Sequence, residues 1–134
     1  MKITEARQLD FNRITDLYYK LYPNRKTAKL TAVRSPIVKS KVLVAKESKR
    51  VDGFILATFV SYGKSKFGYI EELIVDEKAR GKQIGSKLVK RILSWEKELG
   101  AEVVFVITEE AMEFYKKLGF EYTKNYTWLL WTPK

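Results

Sequence analysis

Apolar residues recur at helical spacing in the second half of the chain. The spacing is three or four residues throughout, at Ile84, Leu88, Ile92, Trp95 and Leu99. This pattern predicts one apolar stripe on an amphipathic helix. Gly100 is a natural end to that helix, because glycine readily adopts the left-handed conformation that closes a helix.

Shorter apolar runs, continuous or alternating, are typical of strands. They predict strands at 1–6, 41–45, 54–61, 67–75, 103–107 and 126–132. Turns are expected at 51–53 and 62–65, where glycine and polar residues interrupt the apolar pattern.

Three further helices complete the predicted pattern. Asp10 is expected to cap a helix that ends before Pro23, and Asn24 a shorter basic helix that ends before Pro36. A short helix over 109–118 is closed by Gly119. With no repeat and no flexible linker, residues 1–134 are interpreted as one mixed α/β domain.

Composition excludes several kinds of chemistry. The 134 residues include no Cys and no His, which excludes disulfides, thiolate or imidazole metal sites and His-dependent triads. No metal cofactor is therefore expected. The chain has neither a signal-peptide core nor an apolar run long enough to cross a membrane, so we expect a cytoplasmic protein.

The net charge of +10 is concentrated between residues 20 and 50, where ten basic residues accompany one acid, Glu47. Such a block attracts an anionic partner: a phosphorylated cofactor, an acidic acceptor or nucleic acid. The other interpretation is a lysine-rich solvated surface.

The segment from Arg80 to Lys87 joins an apolar strand to the long helix. Its glycines allow close approach of backbone N–H groups, and the helix start adds unpaired donors, so the junction suits a pyrophosphate. It is neither a Walker loop nor a dinucleotide fingerprint, because the glycine spacing differs. An ordinary basic turn is the alternative.

Two segments resemble the GNAT-type N-acetyltransferases. Residues 70–85 are similar to the family's acyl-CoA-binding motif, and Ala111–Phe120 is similar to its Ala-x-x-Phe-Tyr-x-x-x-Gly-Phe. The resemblance covers essentially the whole chain. It implies a central mixed, mostly antiparallel sheet of six to seven strands flanked by about four helices, with strands four and five splayed. It also implies acetyl-CoA as co-substrate.

The resemblance implies two cofactor-binding groups. The backbone of Leu73, Ile74 and Val75 is expected to pair with the pantetheine arm. The pyrophosphate is expected on the loop and helix start, at Arg80, Gly81, Lys82, Gln83, Ile84, Gly85 and Ser86. Gln83 replaces a motif glycine, so a positive φ there is expected to be costly. Thr108, where many members have Asn, is a further candidate contact.

For catalysis, the resemblance implies that Tyr115 is the general acid that protonates the thiolate. A carboxylate is expected to accept the amine proton. Strand alternation places Tyr69, Glu71, Leu73 and Val75 on one face, which favours Glu71 as base. A bulge at Leu73 would instead favour Glu72, and Tyr69 could relay a proton through water.

The predicted function is acetyl transfer from acetyl-CoA to a primary amine, by direct attack in a ternary complex. The acceptor is a small molecule or a peptide or protein amine, and the basic block favours an acidic or neutral one over a polycation. The alternative is a nucleic-acid-associated or acyl-CoA-sensing module, in which Tyr18, Tyr19 and Tyr22 stack on bases. A monomer or homodimer is expected, with the aromatic tail at 126–131 as dimer surface or last strand.

Overall fold

A computed structural model describes residues 1–21, 23, 36–47, 49–62 and 65–133. Its strands are β1 (Ile37–Glu47), β2 (Arg50–Tyr62), β3 (Ser65–Val75) and β4 (Val103–Val106). Its α-helices are α1 (Phe11–Leu21), α2 (Ile84–Leu99) and α3 (Met112–Lys117). Short 3-10 turns precede α1, at Gln8–Asp10, and α2, at Glu77–Ala79.

The sheet is mixed, as the alternation of strands and helices predicts. Its order is β1-β2-β3-β4, with antiparallel pairing among the first three strands and parallel pairing of β3 with β4. Helix α2 lies in the connection between the two parallel strands, which cannot be joined by a tight turn.

The long helix is confirmed, and it covers one face of the sheet. Its Leu88, Val89 and Ile92 pack in a buried cluster with Ile55 and Ile70 of the strands. Full burial of each such side chain stabilises the fold by roughly 1.5–3 kcal/mol. The helix ends as expected at Gly100, whose φ is +93°.

The predicted turn at 51–53 is wrong, because these residues lie inside β2 and the chain reverses before Arg50. Asp52 is buried there, and its Oδ1 accepts a 2.8 Å hydrogen bond from Arg50 Nε. Gly53 permits close packing instead of a turn, since a Cβ at this position would lie 3.1 Å from the Ile74 carbonyl oxygen.

The described residues form four strands and three α-helices, not the expected six to seven strands and four helices. Segments 1–6 and 126–132 are predicted strands that have no regular structure, since neither pairs with a sheet edge in the described chain. The helix predicted to begin at Asn24 lies outside the described residues.

Helix α1 is confirmed, but its predicted cap is not. Asp10 belongs to the preceding 3-10 turn, where its Oδ2 accepts a 2.8 Å hydrogen bond from the Arg7 backbone N–H. The carboxylate therefore closes that turn and does not cap α1.

Candidate functional site

Strands β3 and β4 pair over only four residues each. Pairing covers Phe67–Ile70 on β3 and Val103–Val106 on β4, and β3 then continues for five more residues. Residues 65–133 are all described, and none of them forms a strand against this part of β3. Because β4 ends at Val106, the edge of β3 at 71–75 has no strand partner in the described chain, and this unpaired stretch of edge is termed the gap.

The three residues expected to bind the pantetheine arm lie along this gap. Leu73, Ile74 and Val75 pair on their other side with Ile55, Phe54 and Gly53 of β2. Because β2 takes one edge of β3, the hydrogen-bonding groups that point toward the gap remain available to an added extended chain.

The loop after β3 contains two residues with left-handed backbone. Gly81 has φ +91° and Gln83 has φ +60°. Gln83 adopts the positive φ that was expected to be costly there, directly before α2 begins. The conformation costs roughly 1–2 kcal/mol in a residue other than glycine. Such strain is typical of functional loops held by their surroundings.

The start of α2 is suited to an anion. The first turn, which includes Ile84, Gly85 and Ser86, holds no acidic residue, so its unpaired N–H groups and partial positive charge are not neutralised within the helix. A Cβ on Gly85 would lie 3.3 Å from the Phe114 ring, so glycine permits α2 and α3 to approach. A Cβ on Gly81 would meet no atom within 4 Å, which leaves space beside the loop.

Basic side chains surround this helix start. Arg80 and Lys87 are exposed, and Lys82 Nζ lies 2.9 Å from Glu47 Oε2 at the end of β1. The side chains of Lys82 and Glu47 are 56% and 66% exposed, so their ion pair is worth about 1 kcal/mol at most. An incoming phosphate can therefore compete with Glu47 for Lys82.

A β-bulge lies beside the gap, at Glu71. Leu56 of β2 pairs with Glu72 and Ala57 pairs with Ile70, which leaves Glu71 as the extra residue. Glu71 Oε1 accepts a 3.0 Å hydrogen bond from Thr58 Oγ1.

The predicted alternation along β3 is wrong beyond Ile70, because the extra residue shifts the register by one. Leu73 packs on the same buried cluster as Ile70, whereas Tyr69 lies on the other face, opposite Thr58. A bulge does interrupt the strand, at Glu71 and not at Leu73, the position considered from the sequence. Glu71 and Glu72 therefore both lie on the Tyr69 face, which strict alternation would not allow.

Tyr115 lies on α3 and belongs to the same buried cluster as Ile70, against which Leu73 packs. It is 6% exposed, and its ring packs against Phe114 and Phe120 at centroid distances of 5.0 and 5.2 Å. Burial raises the pKa of Tyr115, and the negative charge of Glu72 raises it further. The hydroxyl therefore stays protonated at neutral pH, within electrostatic range of one candidate base.

Thr108 has a structural role. Its Oγ1 accepts a 3.0 Å hydrogen bond from the Ala111 backbone N–H, just before α3 begins. This bond satisfies one of the free donors at the helix start. The suggested contact of Thr108 with the cofactor stays a prediction.

Tyr69 lies within an aromatic cluster that sequence reasoning missed. Its ring centroid is 5.6 Å from Phe67, 5.4 Å from Phe105 and 6.4 Å from Trp128. The sequence did carry a signal for this cluster: Phe67 and Tyr69 alternate along β3, and Phe105 lies on β4. Thr58 was also missed, since its bond to Glu71 depends on a bulge that no local pattern marks.

The described residues show neither a metal-binding group nor a membrane-spanning helix. They contain no group of three or more metal-ligating side chains placed to hold an ion. Within the same ranges, no helix combines the length and apolar character needed to cross a membrane. A cytoplasmic location stays a prediction.

Comparison with known proteins identifies the family. The model of the acetyltransferase (GNAT) family matches residues 11–120. The chain is 33% identical over 87 residues to a protein of Oryza sativa subsp. japonica named "Probable glucosamine 6-phosphate N-acetyltransferase 2". That match covers 59% of this chain and 52% of the rice protein. The chain spans about half, or less, of the length of the curated relatives it matches.

Solved structures share the fold. Glucosamine-6-phosphate N-acetyltransferase from Arabidopsis thaliana superposes with a TM-score of 0.62 at 19% identity, over 98% of this chain and 84% of that one. An aminoglycoside acetyltransferase from an uncultured soil metagenomic sample gives the same score and identity, over 99% and 96%. With the family match covering most of its length, the chain belongs to the GNAT family of acetyltransferases.

Proposed function

We propose that this protein is an N-acetyltransferase that moves an acetyl group from acetyl-CoA to a primary amine by direct attack in a ternary complex. The observation that carries the proposal is the gap along the edge of β3. The loop suited to an anion follows β3, Glu71 and Glu72 lie on β3 beyond its paired stretch, and Tyr115 is close enough to Glu72 for that charge to raise its pKa.

The residues present fit acetyl-CoA. The free edge of β3 at Leu73–Val75 would hold the pantetheine amides, and the α2 start with Arg80 and Lys82 would hold the diphosphate. When bound, acetyl-CoA supplies an activated acetyl group as a thioester. Family membership implies this co-substrate.

The reaction requires two proton transfers. The amine nitrogen attacks the thioester carbonyl, the C–N bond forms and the C–S bond breaks. Glu71 accepts the proton that the amine loses, directly or through water, with Glu72 and Tyr69 as alternatives. Tyr115 donates its proton to the departing sulfur, and its raised pKa keeps that proton in place at neutral pH.

The acceptor is proposed to carry few positive charges. The whole chain has a net charge of +10, so a polycation would be repelled. Three curated relatives are named for glucosamine 6-phosphate, whose single amine and phosphate are compatible with this limit. Four of the ten basic residues in the block at 20–50, namely Arg25, Lys26, Lys29 and Arg34, lie outside the described residues, and nucleic-acid binding by the block stays a prediction.

The test is acetyl transfer itself. Purified protein is incubated with isotopically labelled acetyl-CoA and a panel of primary amines, with free thiol and product mass measured together. We expect one labelled acetyl-amine for each thiol released. Binding of acetyl-CoA without product on any amine would contradict the proposal and favour an acyl-CoA-sensing module.

A further inference from the structure

An aromatic cluster covers part of the sheet face opposite α2. It consists of Phe67 and Tyr69 on β3, Phe105 on β4, and Tyr126 and Trp128 in the C-terminal segment. Ring centroids lie 5.2–6.5 Å apart, mostly in edge-to-face arrangements. A cavity of about 510 Å³ is lined by these five residues together with the polar Ser65, Lys66, Glu102 and Thr127.

The cluster is open to solvent. Tyr126 and Trp128 are 54% and 56% exposed although both line the cavity. Rings that formed only a hydrophobic core would be buried. Exposed aromatic walls around a cavity are typical of ligand sites, where a few polar groups then set the orientation.

The candidate bases, Glu71 and Glu72, follow Tyr69 by two and three residues on β3. Tyr69 pairs across the strands with Thr58, and the Thr58 hydroxyl binds Glu71. At about 3.3 Å per residue along a strand, the Cα atoms of Tyr69 and Glu71 are roughly 6 Å apart. A ring that binds in the cavity and contacts Tyr69 can therefore present an amine toward Glu71 through a linker of two or three atoms.

We propose that the acceptor is a primary amine on a short alkyl chain that ends in an aromatic ring, and that the aromatic cluster binds this ring. The inference rests on the proposed function and names its substrate class. Such a molecule carries one positive charge, which Glu71 and Glu72 attract. An aromatic ring can add edge-to-face contacts with the five rings, which an amino sugar cannot make.

The kinetic test compares 2-phenylethylamine, n-hexylamine and glucosamine 6-phosphate as acceptors. The wild type is expected to have its highest kcat/KM with 2-phenylethylamine. Trp128→Leu keeps an apolar side chain but removes a ring, and should raise KM for 2-phenylethylamine roughly three- to tenfold while changing kcat little. The KM for n-hexylamine should change less than twofold. Trp131→Leu is the matched control, since Trp131 is 81% exposed and does not line the cavity.

The binding test needs no turnover. The chain has three tryptophans, Trp95, Trp128 and Trp131, whose indole N–H resonances are resolved by NMR and assigned with single substitutions. With coenzyme A present, 2-phenylethylamine should shift the Trp128 resonance and leave Trp131 unchanged.

The outcomes separate the two proposals. A Trp128 shift with no acetylation of any amine would overturn the proposed function and keep the ring-binding site. Three results would overturn the ring-binding site alone. The first is acetylation without a shift of the Trp128 resonance, and the second is an equal increase in KM for 2-phenylethylamine and n-hexylamine in Trp128→Leu. The third is a higher kcat/KM of the wild type for glucosamine 6-phosphate than for 2-phenylethylamine.

Discussion

Thr58 Oγ1 donates a 3.0 Å hydrogen bond to Glu71 Oε1, across the bulge that interrupts the pairing of β2 with β3. The bond fixes one carboxylate oxygen and leaves the other to accept a proton. Both side chains are on the face that carries Tyr69, where the acceptor is proposed to bind.

The first prediction concerns the base. Glu71→Gln should lower kcat by about 10²–10⁴, because a positioned base contributes about that much, and Glu72→Gln should lower it less. Thr58→Val keeps the carboxylate but removes its hydrogen bond, so its effect should be smaller than that of Glu71→Gln. Steady-state rates from pH 6 to 9 measure all three. A larger loss in Glu72→Gln would assign the base to Glu72.

The second prediction concerns the acid. Tyr115→Phe should lower turnover about ten- to a thousandfold and leave coenzyme A affinity within a fewfold, because only the proton donor is lost. Since burial and Glu72 raise the pKa of Tyr115, the loss should be nearly constant between pH 6 and 9. Tyr122→Phe, at an exposed position, is the control. Unchanged turnover would remove Tyr115 from the mechanism.

The third prediction concerns the Lys82–Glu47 pair. Lys82→Ala should weaken coenzyme A binding about two- to tenfold, and Glu47→Gln should strengthen it slightly by releasing Lys82. Both effects should shrink in 0.5 M salt, where exposed charges are screened. Titration calorimetry measures the affinities. Lys90→Ala, farther along α2, is the control, and an equal loss in that variant would mean that Lys82 acts only through net charge.

The fourth prediction concerns pH and stability. Glu96 on α2 is fully buried against Gly68, and its carboxylate oxygens have no hydrogen-bond partner among the described residues. Burial raises the pKa of Glu96 from 4.5 to about 7. The folded state therefore prefers the protonated form, and this contribution to stability is fully present below pH 4.5 and is lost as pH rises to about 7.

The expected loss is about 3 kcal/mol, at 1.36 kcal/mol per pKa unit. Glu96→Gln, which resembles the protonated side chain, should match the wild type at pH 4.5 and exceed its stability at pH 8. Urea unfolding at the two pH values measures this, with the exposed Glu98→Gln as control. Parallel stability changes in wild type and Glu96→Gln would refute the assignment.

The sequence predicts the elements that depend on local periodicity. The stripe from Ile84 to Leu99 specifies α2, and Gly100 ends it, because both features are set by residues close in the chain. The order of α2, β4 and α3 is correct for the same reason, whereas the strand predicted at 126–132 does not form. The loop and helix start at 80–86 also follow β3 as expected. This loop and the free edge of β3 could therefore be located from the sequence.

What the sequence could not predict depends on contacts between distant residues. The bulge at Glu71 is set by pairing with Leu56 and Ala57, and it changes which side chains share a face. Asp52 lies in a strand despite its turn propensity, since it pairs with Arg50 in a buried site. Gln83 adopts a positive φ because the loop around it requires it.

The most direct test of the central claim is a backbone amide NMR titration with coenzyme A. The account predicts large shifts at Leu73 and Val75 along the free edge of β3 and at Gly81 and Gly85 beside the α2 start. Residues of β1, such as Val42, should be unaffected. Saturable binding that leaves those four amides unchanged would contradict the account.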